Sequence, residues 1–287
     1  MARVTSWLSV EGIRRDYSSR VVFCDVWFGA ERGELIALIG HPGRGKTTIH
    51  NILAGLEAPD AGTIVMDVRE VSGLSLDRAV IFQSHVPLPW LTAQGNVAFV
   101  VRSRHKGWSR AKVQHHARAV LEFVGLGDAA GRLPAELTGG MKQRVGYAHA
   151  LAIEPALLLM DEPVSALDAL TRGTLQDEVL CLVSDAGQTA FMVTHDVDEA
   201  ILLADRILLM TNGPDARVGE VVINTLPRPR DRAIIHRSAG HYALRNHIVD
   251  FLVTRSRTMA GSRPEGWDGR HVPQVRPADN ALEETTA

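Results

Sequence analysis

A glycine-rich loop that contains a lysine constrains this chain more than any other feature of its sequence. One segment fits the pattern G-x-x-x-x-G-K-[ST]: Gly40, His41, Pro42, Gly43, Arg44, Gly45, Lys46 and Thr47. The apolar run at residues 34–39 before it reads as a buried strand. After it, apolar residues recur at helical spacing: Ile49, Ile52, Leu53 and Leu56. An ordinary turn between a strand and a helix needs no Lys-Thr pair, so we predict a phosphate-binding loop.

The chemistry of such a loop follows from its residue types. Glycines allow backbone N–H groups to close around phosphate oxygens, and the start of the following helix adds partial positive charge. We expect Lys46 to neutralise the β- and γ-phosphates of a nucleoside triphosphate, and the Thr47 hydroxyl to bind Mg²⁺. The sequence therefore predicts a chain that binds and hydrolyses ATP.

Two acids follow a second apolar strand. Residues 157–160 run directly into Asp161 and Glu162, and acids at the carboxyl end of a buried strand face the ligand crevice of an α/β sheet. We expect Asp161 to hold Mg²⁺, usually through water, and Glu162 to polarise the attacking water. A cap or turn after the strand is the alternative, which the pairing with the phosphate loop disfavours.

A hydroxyl and two glycines open a predicted helix upstream of these acids. Thr138, Gly139 and Gly140 thereby form a second candidate anion site. Taken alone, they are better explained as an ordinary N-cap with a glycine turn. Their place in a set with the loop and the acids favours the functional interpretation.

Apolar strands alternate with helical patterns along the chain. Further strands are predicted at residues 63–66, 78–82, 190–194 and 206–210, and a helical pattern covers residues 93–124. This alternation predicts a parallel sheet covered on both faces. A last helix is indicated by Leu244, Ile248, Phe251 and Leu252.

Composition limits the class of protein. Of the 287 residues, 45% are hydrophobic and 22% are charged, and the net charge is −2. Such a charge gives no basic field that favours nucleic acid or an anionic membrane. The two cysteines, Cys24 and Cys181, are interpreted as buried thiols in a reducing compartment. No stretch approaches the ~20 apolar residues of a membrane span, so work at a membrane would require a partner.

Together these segments resemble the ATP-binding subunits of ABC transporters, over about Val10 to Arg255. The resemblance implies an α/β fold of the P-loop NTPase, ABC-type nucleotide-binding class. That class has a mostly parallel central sheet with an antiparallel β subdomain, plus an inserted helical subdomain. We accordingly expect an ATP-binding domain at residues 1–255, with its helical subdomain at about 86–150, and a disordered tail at 256–287.

The resemblance also implies further site residues. The segment from Leu137 to Gly140 resembles the family's signature, in which Thr138 replaces a serine and keeps the hydroxyl. Gln83 resembles the glutamine that reaches the metal and the water, and Asp168 belongs to a loop that crosses to a partner subunit. His195 resembles the histidine that contacts the γ-phosphate. Tyr17 lies where an aromatic ring stacks on adenine, although simple packing is the alternative.

The family's assembly implies the partners. Two ATP-binding subunits, as a homodimer or a heterodimer, meet head to tail, so each ATP lies between one phosphate loop and the other signature. The dimer attaches to integral-membrane permease subunits at the cytoplasmic face of the inner membrane, as a peripheral protein. A periplasmic solute-binding protein takes part indirectly, and no nucleic acid is expected. An isolated monomer is expected to bind ATP and Mg²⁺ but to hydrolyse ATP poorly.

The segment Pro87-Leu88-Pro89-Trp90-Leu91-Thr92 is similar to the branch that serves nitrate, nitrite, cyanate, bicarbonate, taurine and alkanesulfonate importers. Trp90 is interpreted as an exposed anchor for the permease, with core packing as the alternative. Stretches near residues 194–200, 227–230 and 244–246 resemble the nitrate and bicarbonate members. We therefore expect a nitrate or nitrite importer ATPase, with a taurine or alkanesulfonate importer as the alternative.

Some positions depart from the family's usual residues. Pro42 replaces a serine, and Thr47 with Thr48 replaces Ser-Thr while keeping the hydroxyl that binds the metal. His149 replaces an arginine behind the signature helix, which weakens a charge-assisted contact. A soluble ABC ATPase acting on DNA or ribosomes is disfavoured because the chain has one phosphate loop and no long heptads. A subunit that binds ATP without hydrolysing it is disfavoured by Glu162 and His195.

Overall fold

The computed structural model describes residues 6–17, 20–82, 87–163, 173, 176, 187–213, 215–260 and 269–277. The described strands are β1 (Leu8–Tyr17), β2 (Arg20–Ala30), β3 (Leu35–Ile39), β4 (Ala61–Met66), β5 (Arg69–Glu70), β6 (Arg78–Ile81), β7 (Leu157–Asp161), β8 (Thr189–Val193), β9 (Arg206–Met210), β10 (Val218–Ile223) and β11 (Gln274–Val275). The described α-helices of seven residues or more are α1 (Lys46–Ala54), α2 (Ala93–Arg104), α3 (Arg110–Phe123), α4 (Gly139–Leu151), α5 (Val197–Leu203) and α6 (His241–Asp250).

The chain divides into two compact units. The first comprises Met1–Leu74 with Leu180–Ala287, and the second comprises Ser75–Val179. The second unit contains the segment 86–150 that the sequence marks as a helical subdomain, but it also includes the strands β6 and β7. The unit is therefore larger than the helical insertion alone.

The first unit contains two sheets. One is antiparallel, with strand order β2-β1-β4-β5. In the other, β3 pairs in parallel with both β8 and β9, while β10 runs antiparallel to β9. Every residue of β3 and β8 is buried, as expected for a parallel sheet covered on both faces. The α/β class, the mainly parallel sheet and the antiparallel subdomain are thus confirmed.

The helix after the phosphate loop is shorter than its apolar pattern suggests. Ile49, Ile52 and Leu53 are buried on α1, as expected. Gly55 ends the helix in a left-handed conformation with φ of 77°, and its N–H bonds back to the last turn. Leu56 therefore lies outside the helix and is 47% exposed, so it does not continue the helical face that its spacing suggested.

In the second unit, β6 and β7 pair in parallel, and three capped helices accompany them. The predicted helical pattern at 93–124 is two helices, because Ser109 caps a new helix by accepting a hydrogen bond from the Lys112 N–H. Between them, the rings of His105 and Trp108 stack at 3.8 Å. Cation–π contact from Lys112 covers the indole at 4.0 Å.

Among the described helices of the whole chain, none has the length and apolar composition of a membrane span.

The described residues of the C-terminal region, 256–260 and 269–277, are folded, whereas the sequence predicted a disordered tail at 256–287. Ser256–Thr258 continues the helical segment, and β11 pairs in parallel with β10. The guanidinium of Arg270 lies 5.4 Å from the ring centre of Trp27. The described segment at residues 269–277 therefore contacts both β10 and β2.

Candidate functional site

The phosphate loop occupies the connection between β3 and α1. Its glycines are required by backbone conformation and by packing. Gly43 and Gly45 have φ of 72° and 83°, in the left-handed region that favours glycine. A Cβ on Gly45 would lie 2.6 Å from Val22 Cγ1 and 2.7 Å from Phe23 Cδ1, whereas a Cβ on Gly43 would meet no described atom within 4 Å. The loop is thus packed against β2 on one side and open on the other.

Lys46 is folded back across this loop. Its Nζ donates to the carbonyl oxygens of Gly40 at 2.8 Å and His41 at 3.0 Å, and the side chain is 6% exposed. These carbonyls hold the ammonium group at the start of α1. Among the described residues, no side chain caps this helix and no acid lies in its first turn. The helix N-terminus therefore adds its partial positive charge to that of Lys46.

These groups fit a nucleotide phosphate. Gly43 leaves an open side to the loop, a buried lysine supplies charge, and the uncapped helix start supplies N–H donors. Thr47 is exposed and lies beside them, so its hydroxyl is accessible to a cation. Pro42 lies in the exposed turn of the loop, where its missing N–H does not leave a buried carbonyl without a partner.

His195 lies at the same end of the parallel sheet as the phosphate loop. Leu38 of β3 pairs with Val193 of β8, and the Thr194 N–H bonds to the Leu38 carbonyl at 3.2 Å. Asp196 then caps α5 by accepting from the N–H groups of Asp198 and Glu199. His195 is exposed between these anchors. The loop and His195 thus follow the carboxyl ends of neighbouring parallel strands, where α/β sheets bind ligands.

Tyr17 is fixed at the end of β1 by contacts that the sequence did not reveal. Its hydroxyl donates to Glu57 Oε2 at 2.6 Å, and Asn51 Nδ2 donates to Glu57 Oε1 at 3.0 Å. The Arg15 guanidinium lies 5.0 Å from the ring centre. Burial by itself raises the pKa of Glu57, but these hydrogen bonds and the Arg15 charge together lower it. The ring is 45% exposed, so it is both held in place and accessible for stacking.

The predicted acids lie in the second unit. Asp161 is the last residue of β7, and four buried apolar residues precede it. Glu162 follows with φ of 48°, a left-handed conformation that costs a non-glycine residue about 1–2 kcal/mol. Such outliers persist only where the surrounding structure fixes them, and they cluster at functional sites.

The signature segment opens α4. Thr138 Oγ1 accepts a hydrogen bond from the Met141 N–H at 3.3 Å, so the N-cap interpretation is correct as far as it goes. Gly139 is exposed, and a Cβ there would meet no described atom within 4 Å. The helix start is therefore open to an approaching group. Gln83 and Asp168 lie outside the described residues.

The loop before α2 presents Trp90 to solvent. The side-chain amide of Asn96, which is fully buried, donates to the carbonyls of Leu88, Leu91 and Thr92. Its oxygen accepts from the Leu88 N–H at 2.7 Å. Trp90 is 71% exposed, which excludes the core-packing alternative.

Comparisons with known proteins agree with this geometry. A family model described as ABC transporter matches residues 23–165. The nitrate transport protein NasD of Klebsiella oxytoca is 45% identical over 254 residues, which cover 85% of this chain and 95% of that protein. The nitrate import ATP-binding protein NrtC of Synechococcus elongatus is 46% identical over 233 residues, which cover 81% of this chain but 35% of that protein. This chain thus spans about a third of NrtC.

A solved structure is similar along most of the chain. It is a dimeric ATP-binding cassette in a post-hydrolysis state, bound to ADP and Pi, with a TM-score of 0.66 and 27% identity. The similarity covers 76% of this chain and 98% of that one. The family model matches this chain, relatives are 45% and 46% identical to it, and the phosphate loop and His195 follow neighbouring parallel strands. The chain therefore belongs to the ABC transporter family, as an ATP-binding and ATP-hydrolysing subunit.

Proposed function

We propose that this chain energises an importer for a small anion, nitrate or nitrite, with cyanate or bicarbonate as the nearest other substrates. The observation that carries the proposal is the position of the phosphate loop and His195, which follow the neighbouring strands β3 and β8. The same chain is 45% identical to a nitrate transport protein, over 85% of this chain and 95% of that protein. Free energy from ATP binding and hydrolysis switches the subunits between two states, because ATP binds those states with different affinities.

The residues around the loop bind the nucleotide. Lys46 neutralises the β- and γ-phosphates, and the backbone N–H groups of residues 40–48, apart from Pro42, surround their oxygens. Tyr17 stacks on adenine with the ring face that Arg15 leaves uncovered. His195 contacts the γ-phosphate from the neighbouring strand end and positions it for attack.

The remaining polar residues act on the metal and on water. Thr47, Asp161 and Gln83 hold Mg²⁺, which, when bound, neutralises charge on the phosphate oxygens. Glu162 accepts a hydrogen bond from the attacking water, and this orients a lone pair of the water oxygen towards the γ-phosphorus. Thr48 adds a second hydroxyl beside the loop.

Two such subunits complete the sites. Thr138, Gly139 and Gly140 of one subunit face the nucleotide of the other, and Asp168 contributes from the loop that crosses between them. The second subunit is another copy of this chain or a longer relative. Association with integral-membrane permease subunits places the pair at the cytoplasmic face of the inner membrane, with Trp90 as a contact. A periplasmic solute-binding protein delivers the anion.

Reconstitution in proteoliposomes tests the proposal. The chain is combined with its cognate permease and solute-binding protein, ATP and Mg²⁺ are supplied on the side of the chain, and uptake of nitrate and of taurine is compared. We expect ATP-dependent nitrate uptake that is lost in Lys46→Ala. ATP-dependent uptake of taurine alone would establish the sulfonate alternative. ATP hydrolysis without uptake of any of the named anions would overturn the importer assignment.

A further inference from the structure

The turn that carries Glu162 is held by α4 of the same chain, the helix that begins in the signature segment. The side-chain amide of Gln143 donates a hydrogen bond to the carbonyl oxygen of Pro163. The hydroxyl of Tyr147 donates to that same oxygen at 3.4 Å, and the Gln143 amide also donates to the Tyr147 hydroxyl at 3.2 Å. The two side chains are four residues apart on α4 and so share one face of the helix. One carbonyl oxygen thus receives two donors from one rigid element.

Both donors are buried, so water does not substitute for them. Gln143 is 8% exposed and Tyr147 is 0% exposed. A buried carbonyl that loses its donors pays the cost of desolvation without compensation. The position of the Pro163 carbonyl is therefore coupled to the position of α4.

The backbone explains why this anchor matters at Glu162. The residue has φ of 48°, and the following proline restricts its conformation further. Asp161, its other neighbour, is held in β7. A strained residue between a strand and an anchored carbonyl has a fixed backbone direction, which determines where its carboxylate is presented. If the Pro163 carbonyl is released, the turn relaxes and the carboxylate moves.

We propose that Gln143 and Tyr147 are positioning residues for Glu162, acting through the Pro163 carbonyl. The proposal rests on the function proposed above, in which Glu162 orients the attacking water. Neither side chain needs to contact ATP or water for this role. Since a general base acts only within hydrogen-bond reach of its proton, loss of the anchor lowers the rate of hydrolysis more than it lowers the binding of ATP.

Two substitutions and one matched control test the proposal. Gln143→Met keeps the length of the side chain but removes the N–H donors, and Tyr147→Phe removes only the hydroxyl. Gln94→Met is the control, because Gln94 in α2 donates from its side chain to a backbone carbonyl, that of Gln114, at 3.0 Å in the same unit. For each variant, kcat and KM for Mg-ATP are measured in the complex with the permease subunits, and the Kd of a fluorescent ATP analogue and the melting temperature are measured on the separate chain.

A positioning role gives a characteristic pattern. We expect Gln143→Met to lower kcat about tenfold or more, because misplacement of a catalytic group by a fraction of an ångström is costly. The Kd is expected to stay within about twofold of wild type, since the loop that binds phosphate is untouched. Tyr147→Phe is expected to lower kcat by about two- to threefold, because its bond is longer. Gln94→Met is expected to keep the wild-type kcat even where its melting temperature falls.

Other results overturn the proposal. If Gln143→Met keeps the kcat of the Gln94→Met control, the contact only satisfies a buried carbonyl. If Gln143→Met does not fold, Tyr147→Phe decides, and an unchanged kcat overturns the proposal. Glu162→Gln in the same assay separates the two claims. A Glu162→Gln variant as fast as wild type refutes the assigned base itself, whereas an impaired Glu162→Gln with a normal Gln143→Met refutes only the positioning role.

Discussion

The imidazole of His41 donates its Nε2 hydrogen to the carbonyl oxygen of Leu252, at 2.8 Å. Because a carbonyl only accepts, this contact requires the hydrogen to be on Nε2. Leu252 lies in the π-helical turn Phe251–Arg255, and its oxygen also accepts from Ser256 Oγ at 2.8 Å. π-Helical turns are rare and frequently occur at functional sites. The phosphate loop is therefore anchored to the C-terminal helical segment.

Removal of this anchor is predicted to weaken nucleotide binding. His41→Leu loses the hydrogen bond, whose net value of about 1 kcal/mol corresponds to about fivefold in the Kd for Mg-ATP. His41→Gln places an amide N–H near the same point and is expected to keep most of the affinity. Titration with a fluorescent ATP analogue gives the Kd of wild type, His41→Leu and His41→Gln. Ser256→Ala is the control, because it removes the other donor to the Leu252 oxygen without changing the loop. Wild-type affinity in His41→Leu would show that the anchor does not support binding.

The hairpin between β4 and β5 is predicted to gain stability from a glycine. Its two turn residues, Asp67 and Val68, have φ of 49° and 61°, and turns of this kind favour Asn-Gly or Asp-Gly. Val68 is 92% exposed, so its side chain contributes little burial. Val68→Gly is therefore expected to raise the free energy of unfolding by about 1 kcal/mol, measured by urea denaturation. The same change at Val253, which is exposed within the π-helical turn, is expected to destabilise. A loss of stability in Val68→Gly contradicts the account of strain.

His149 is predicted to make the protein sensitive to acid. Burial lowers the pKa of His149 below 6.5, and a hydrogen bond with the Asn96 backbone only partly opposes this. As pH falls through 6.5, the unfolded chain binds a proton that the folded chain does not, so the free energy of unfolding falls. That loss ends only below the folded pKa.

Replacement of this histidine tests the sign of the effect. When the pH is lowered from about 7.5 to about 5.5, His149→Gln is expected to lose less melting temperature than wild type, because it removes the proton that the unfolded chain binds near pH 6.5. His115→Gln, at an exposed position of α3, controls for the loss of an imidazole. A steeper loss in His149→Gln than in wild type would contradict the assigned direction.

Trp90 is predicted to anchor the permease. Exposed aromatic side chains held on a rigid loop are typical hot spots, and truncation of one costs about 2 kcal/mol or more, which is about thirtyfold in affinity. Trp90→Ala is expected to reduce co-purification with the permease subunits while ATP binding by the separate chain stays normal. Phe123→Ala, which removes another exposed aromatic ring in the same unit, is the control. Equal recovery of the permease with both variants would remove Trp90 from the interface.

Sequence reasoning located the elements whose signals are local. The strand β9 has the predicted bounds Arg206–Met210, because a continuous apolar run marks a strand buried on both faces. The N-cap at Thr138 is likewise a local signal. The loop and the two acids were found in the same way, as short patterns next to such elements.

Contacts between distant residues were not predictable from local patterns. Arg230, in the short Pro-Arg-Pro-Arg stretch at residues 227–230, is buried and donates to the Ala204 carbonyl at 2.9 Å, at the end of α5. Burial lowers its pKa to about 10. The pairing of β11 with β10 joins only two residues on each strand, too few for a period-2 pattern. His41 and Leu252 are 211 residues apart, and nothing in either local sequence indicates the other.

The most direct test of the central claim is steady-state ATP hydrolysis by Glu162→Gln compared with wild type, each assembled with the permease subunits, in the presence of Mg²⁺. The substitution keeps the size of the side chain and removes the carboxylate that orients water. We predict normal ATP binding with turnover reduced about a hundredfold or more, as for loss of a general base. Turnover at the wild-type rate would contradict the assignment of Glu162, and with it the account of this site.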